Sequence, residues 1–167
     1  KSATDTELTE IIEDLFVDDA VDLLEELPAY VVKRVLKNAK ADTRNIINQY
    51  LMYGENSAGS IMTAEFIHLR KNMTVDDAFE KVRKTARDME TIYTCYVTDE
   101  GRRLEGVVSI KSMILSDPNV HLGEIMEDDV IYVSTDDDRE EVAALFSKYG
   151  LLSLPVVDHE RRIVGKI

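Results

Sequence analysis

Apolar positions recur at helical spacing through the first third of the chain, and the rhythm changes after it. Leu8, Ile11, Ile12, Leu15 and Phe16 fall three or four residues apart, as do Val21, Leu24 and Leu27, which predicts amphipathic helices. Pro28 suits the first turn of a third helix, whose apolar face is Val31, Val32, Val35 and Leu36. Asp42 stands where a fourth would take its N-cap, ahead of Ile46, Ile47, Tyr50 and Leu51. No strand signal interrupts residues 1–56, so short antiparallel helical hairpins with tight joints are expected there. Glycines and small polar residues from Gly54 to Ser60 then break the pattern and mark a boundary.

Beyond the boundary, strands and helices alternate. Phe66–Leu69 reads as a short strand and Thr74 to about Arg87 as a helix, with Thr74 and Asp77 at capping-box spacing. Ile92–Thr98, rich in β-branched and aromatic residues, reads as a buried strand. Asp99–Arg102 is a hairpin turn, Leu104–Ile110 a further strand, and Lys111 to about Leu115 a short helix. The order then repeats. Ile61-Met62, Phe66-Ile67 and Asp76-Asp77 match Ile125-Met126, Val130-Ile131 and Glu140-Glu141 at an offset of 64. Val97, Asp99, Leu104 and Gly106 match Val156, Asp158, Ile163 and Gly165 at an offset of 59. Two copies of one β-α-β-β unit therefore account for residues 61–167, and such a repeat constrains architecture before any motif is named.

Composition adds limits. With 44% hydrophobic residues in 167, the chain buries a core as one domain or two small ones. A single cysteine, Cys95, permits no intramolecular disulfide and fits a reducing compartment. No apolar run approaches the roughly 18–20 residues that span a bilayer, and the start shows no signal-peptide pattern, so a soluble, cytosolic unit is expected. The net charge is −13, which argues against nucleic acid and anionic lipid as partners. The pairs Arg102-Arg103 and Arg161-Arg162 are too small to form a basic footprint.

The distribution of that charge is more informative than its total. Residues 5–26 carry ten acids and no base, and residues 124–141 carry nine acids and one base, Arg139. Together the two stretches hold −18, so the rest of the chain is net +5. One reading is structural. Asp138 can cap a helix over 139–149, with Glu141 completing a capping box and Val142, Leu145, Phe146 and Tyr149 on its buried face. That leaves Asp136, Asp137 and Glu140 crowded beside them without a purpose. Residues 5–26 are likewise either solvated helix surface or something more specific.

Motifs in the repeat decide the family it resembles. The Ile-Met pairs and the two turns Val97–Gly106 and Val156–Gly165 resemble a tandem pair of CBS domains. The runs Ser57–Thr63, Met73–Ala78, Glu90–Tyr93, Ser134–Asp136 and Leu154–Asp158 are similar to the cytosolic region of MgtE-type magnesium transporters. Residues 1–56, with Leu24–Pro28 and Tyr53–Gly59, look like the C-terminal part of that family's superhelical N domain. The resemblance implies an α+β architecture: a helical domain over 1–56, a first CBS domain over 57–120, and an incomplete second over 121–167. It implies a regulatory region and no enzyme, at the cytoplasmic face of the bacterial cell membrane. Its expected partners are a C-terminal transmembrane domain of the same protein and a second copy bound through the CBS units.

The resemblance also implies Mg²⁺ as the ligand. Mg²⁺ dehydrates reluctantly and is held by one or two carboxylates plus water, so two acidic surfaces across a gap make a suitable sensor. By position, Asp138 and Glu140 match the family's metal-binding acids, with Glu141 and Asp136 beside them. On the helical side Asp18, Asp19, Asp22 and Glu26 are the candidates. Where the family has a further acid after the helix tyrosine, this chain has Gly150. CBS pairs also take adenosine nucleotides, ATP or AMP, at a Gly-h-h-Ser/Thr-x-x-Asp/Asn segment. Here Gly106–Ser112 keeps the glycine and Ser109, offers Lys111 to a phosphate, and has Ser112 where a ribose-binding acid or amide is expected. An adenine-nucleotide-sensing module is therefore the alternative, and a ligand-free interaction domain the plainer one. His68, His121 and His159 are scattered without zinc spacing, and no nucleophile or phosphate-loop motif appears.

Overall fold

The computed structural model describes residues 4–167. Four helices occupy the N-terminal third: α1 (Asp5–Asp14), α2 (Val17–Glu25), α3 (Ala29–Asn38) and α4 (Ala41–Tyr50). The start of α1 is a capping box, in which the Thr4 hydroxyl accepts from the Glu7 N–H and the Glu7 carboxylate accepts from the Thr4 N–H. The main contacts run α1 to α3 and α2 to α4, so the helices stack in alternate pairs and not as the simple hairpins expected. Ile12, Leu24, Val35 and Ile47 are almost fully buried between them, each contributing roughly 1.5–3 kcal/mol. Ile11 and Leu15 share the helical spacing yet remain 45% and 37% exposed.

A short helix, α5 (Ala58–Ile61), opens the first unit, followed by β1 (His68–Leu69), α6 (Val75–Thr85), β2 (Thr94–Thr98), β3 (Leu104–Ser109) and α7 (Ile110–Leu115). The second unit runs α8 (Leu122–Ile125), β4 (Val133–Ser134), α9 (Arg139–Tyr149), β5 (Pro155–Val157) and β6 (Ile163–Lys166). Each sheet has its first strand parallel to the second and its second antiparallel to the third. The registers repeat the sequence offsets. Leu69 pairs with Val97 as Val133 pairs with Val156, and Val97 pairs with Gly106 as Val156 pairs with Gly165. Even the turns agree, with Arg102 and Arg161 holding left-handed φ of 66° and 63°.

The two units interlock. The segment leading into the second unit pairs with the first unit's last strand, through reciprocal Val107–Glu127 bonds of 2.9 and 2.8 Å. The segment leading into the first unit pairs with the second unit's last strand, through Thr63–Lys166 bonds of 2.8 and 2.9 Å. The methionine of each Ile-Met pair thereby lies on a glycine of the opposite unit. A Cβ at Gly106 would meet Met126 Sδ at 2.7 Å, and one at Gly165 would meet Met62 Sδ at 2.5 Å.

Several expectations are corrected. Asp42 lies within the first turn of α4, whose cap position is Lys40; the Glu13 carboxylate accepts the Lys40 backbone N–H at 2.7 Å and fixes the start there. The glycine-rich boundary contains α5, because the Ser57 hydroxyl caps it from outside. The strand expected over Phe66–Leu69 shortens to its last two residues. Asp138 does cap α9, but its carboxylate accepts from the Glu140 N–H at 2.8 Å, so Glu141 completes no capping box. Tyr149 is 49% exposed, at the helix end beside left-handed Gly150 and with the Lys148 ammonium over its ring.

Candidate functional site

The acidic stretches approach each other where the N-terminal helices meet the second unit. That meeting is apolar at its centre: Ile12, Leu24, Val35 and Ile47 share one buried cluster with Met62, Val133, Val142 and Val156. Main-chain bonds tie the linker to the start of α9. The Arg139 N–H donates to Asn56 O at 2.8 Å, Ala58 N–H to Asp137 O at 2.7 Å and Gly59 N–H to Thr135 O at 2.9 Å.

Beside this seam lies a cavity of about 380 Å³, lined by Asp18, Asp22, Glu25, Tyr50, Glu55 and Arg139 among others. Helical spacing explains three of the acids, since residues 18, 22 and 25 share one face of α2. Among the described residues, Asp18 Oδ1 is buried without a hydrogen-bond partner, and so is the Tyr50 hydroxyl. Burial, reinforced by Asp19 and Asp22, raises the Asp18 pKa above the usual carboxylate range, and burial with Asp18 nearby pushes the Tyr50 phenol up too. An unpartnered buried carboxylate oxygen among further carboxylates suits a hard cation, and Arg139 lines the same cavity as a cation already in place.

The expected site residues divide. Asp18 and Asp22 enter the cavity; Asp19 and Glu26 lie on exposed positions of the same helix and its C-cap, outside it. From the second stretch the residue lining the cavity is the lone base, Arg139. Asp138 is occupied as a cap, Asp136 is exposed with His159 Nε2 3.6 Å away, Glu140 is exposed, and Glu141 lines a separate groove with Asp137 and Lys148. Among the described residues no three acids, histidines or cysteines are gathered as a metal cage. Glu25 and Glu55 were missed in the sequence. The i, i+7 relation to Asp18 would have found Glu25, whereas nothing local marks Glu55.

A second cleft, about 260 Å³, opens between the two CBS-like units and holds Ser109 and Ser112 but not Lys111. Ser109 caps α7, its hydroxyl accepting the Ser112 N–H at 3.0 Å. Across the cleft the buried Tyr96 hydroxyl meets Ser153 Oγ at 2.5 Å, joining the first unit to the second.

Cys95 is buried in β2, and burial raises its thiol pKa to about 12, which keeps it protonated and unreactive. No helix of the described residues is long and apolar enough to cross a membrane.

Comparison with known proteins places these features. The family described as MgtE intracellular N domain matches residues 1–56, and the CBS domain family matches residues 58–117 and 122–167. The magnesium transporter MgtE of Thermus thermophilus is 42% identical over 153 residues, an alignment covering 89% of this chain and 34% of that protein. This chain therefore spans about a third of that relative's length. A crystal structure of the cytosolic domain of the Mg²⁺ channel MgtE in complex with ATP superposes with a TM-score of 0.91 at 42% identity, over 96% of this chain and 66% of that one. The soluble part of a magnesium transporter superposes with a TM-score of 0.95 at 32% identity, over 99% of this chain and 64% of that one.

Proposed function

The chain belongs to the MgtE family, as an MgtE intracellular N domain joined to a CBS pair, and from that premise we propose that it is the Mg²⁺-sensing regulatory region of a magnesium transporter. It is not an enzyme: the relatives matched over 89% of the chain are magnesium transporters. In this reading Mg²⁺ binds between the helical domain and the second CBS unit and favours the closed arrangement. Without the ion the acidic surfaces repel and the domains part. Its setting would be the cytoplasmic face of a bacterial membrane, acting on a membrane-spanning part of the same protein. A second copy would pack through the CBS units, where Ile114 and Leu115 of α7 are 66% and 76% exposed.

The observation that carries the reading is Asp18 Oδ1, buried without a partner in a cavity that also presents Asp22, Glu25 and Glu55. Asp18 and Asp22 are the proposed ligands on the helical side, with Asp19 and Glu26 adding field from the same helix. Asp138 and Glu140, flanking Arg139 at the start of α9, would reach the ion through its retained waters, with Asp136 and Glu141 adding field from outside the cavity. At roughly 4 Å and an effective dielectric near 20, one like-charge pair costs about 4 kcal/mol, so neutralising a few shifts a domain equilibrium.

Solution scattering tests this. Millimolar Mg²⁺ is expected to reduce the radius of gyration relative to chelator, and Asp18→Asn with Asp22→Asn to abolish the change. Asp138→Ala with Glu140→Ala is expected to raise the concentration required. A chain indifferent to Mg²⁺ would sink the reading, and an unimpaired double Asn variant would sink the ligand assignment.

A second reading concerns the cleft between the CBS units. Its hydroxyls at Ser109 and Ser112, and the ATP complex of a relative, support an adenine-nucleotide site there.

A further inference from the structure

Arg139 is the one base among residues 124–141, and the helix that it opens does not explain it. It is the first residue of α9, directly after the Asp138 cap. The positive end of the helix dipole lies there, so acids stabilise the position and a base does not. Glu140 and Glu141 follow that rule and Arg139 breaks it. What its side chain does meet is the cavity beside the seam, which it lines together with Asp18, Asp22, Glu25 and Glu55.

The main chain holds Arg139 at that cavity. Its N–H donates to Asn56 O at 2.8 Å and the Ala58 N–H to Asp137 O at 2.7 Å, which pins the start of α9 to the linker. Beyond the pinned backbone the side chain is exposed on a flexible stem. It does not satisfy Asp18, whose Oδ1 has no partner among the described residues. The guanidinium keeps its charge at any working pH, so it stands tethered to the acids without being locked onto that one.

Resting on the Mg²⁺-sensing reading above, we infer that Arg139 is a tethered competitor for the metal. In the metal-free chain the guanidinium neutralises part of the cavity and steadies the seam. Mg²⁺ enters by displacing it towards solvent. A group on a short tether meets its partners at an effective concentration on the order of millimolar or higher, so Arg139 raises the Mg²⁺ concentration at which the seam is bridged. Removing its charge therefore has two effects of opposite sign: the metal-free chain weakens and its response to metal strengthens. A residue with only a structural role does not produce that pair.

Thermal unfolding of the chain in EDTA and across an Mg²⁺ titration tests this. In EDTA, Arg139→Gln is expected to unfold at a lower temperature than the unmodified chain. Its unfolding temperature should then begin to rise at an Mg²⁺ concentration about tenfold lower, the shift that about 1.4 kcal/mol of lost competition supplies. Arg139→Lys keeps the charge and should bring both values back towards those of the unmodified chain. Lys148 lies on the same helix in the separate groove with Asp137 and Glu141, so Lys148→Gln should leave the onset where it was. An onset that stays in place or moves upward in Arg139→Gln overturns the competition while Mg²⁺ sensing stands, and so does an equal downward shift in Lys148→Gln. No response to Mg²⁺ in any of these chains overturns the sensing itself, and the competition with it.

Discussion

Glu65 holds its proton further up the pH scale than a solvated glutamate does. Burial is the main cause and the Asp18 carboxylate adds to it, against the pull of Lys166, and together they raise the pKa from 4.5 to about 7. Lys166 is itself buried, which lowers its pKa, and its Nζ donates to Thr91 O at 2.9 Å and Thr91 Oγ1 at 3.1 Å. The folded chain therefore keeps a proton on Glu65 between pH 4.5 and about 7, where the unfolded chain has lost it. Stability from this group is present at the acid end of that window and declines as pH rises through it. Asp18, also raised, contributes in the same direction. Glu65 is only partly buried, so solvent screening trims the effect to about 1–2 kcal/mol. Urea midpoints measured across the window should fall with pH, and Glu65→Gln should flatten the slope; an unchanged slope would refute the assignment. The sequence exposes the acids by count, but not which of them are buried. Asp18 and Asp19 are adjacent and chemically alike, and only the packing of α4 onto α2 separates their environments.

The elements are more legible than their contacts. Helical spacing located four helices, and the two offsets predicted pairing registers that the strands then adopt, down to the matching bulges after Val97 and Val156. The helix start at Thr74 follows from its capping box. What stayed hidden is the interlock, because both the Ile-Met pairs and the glycines are visible in the chain yet touch across units. That partnership depends on the pseudo-symmetric docking of one repeat on the other, which no local pattern encodes. Gly165 is the tighter seat. A Cβ there meets Thr63 O at 2.8 Å and Met62 Sδ at 2.5 Å, whereas at Gly106 the backbone contact is Glu127 O at 3.0 Å. A methionine can shift its sulfur, but a paired carbonyl cannot. Gly165→Ala is therefore expected to destabilise by about 1–3 kcal/mol and Gly106→Ala by less, measured by denaturant unfolding. Equal losses would show that the methionine and not the backbone decides.

At the scale of the whole molecule, apolar and electrostatic forces oppose each other across the same seam. The N-terminal helices are a separate segment of sequence, yet their core is continuous with that of the second CBS unit through Met62, Val133, Val142 and Val156. The first unit has a core of its own around Leu69, Val75, Val97 and Met113. A small cluster containing Tyr96, Leu104, Val157 and Ile163 joins the two units. The helical domain thus shares its buried core with the second CBS unit and with Ala58 and Met62 of the first, and in the proposed reading two stretches that together carry −18 set repulsion against that attraction. In the proposed reading such a balance would let a modest ligand change the outcome. It also predicts where the helical domain is needed. In a chain lacking residues 1–56, amide exchange should quicken in β4 and α9, which lose the cover of α2 and α4. Exchange in α6 and β1–β3 should stay close to that of the whole chain, because their core closes without help. Equal loosening of both units would mean that the helical domain stabilises the CBS pair through the joint between units. Greater loosening of the first would contradict the continuous core directly.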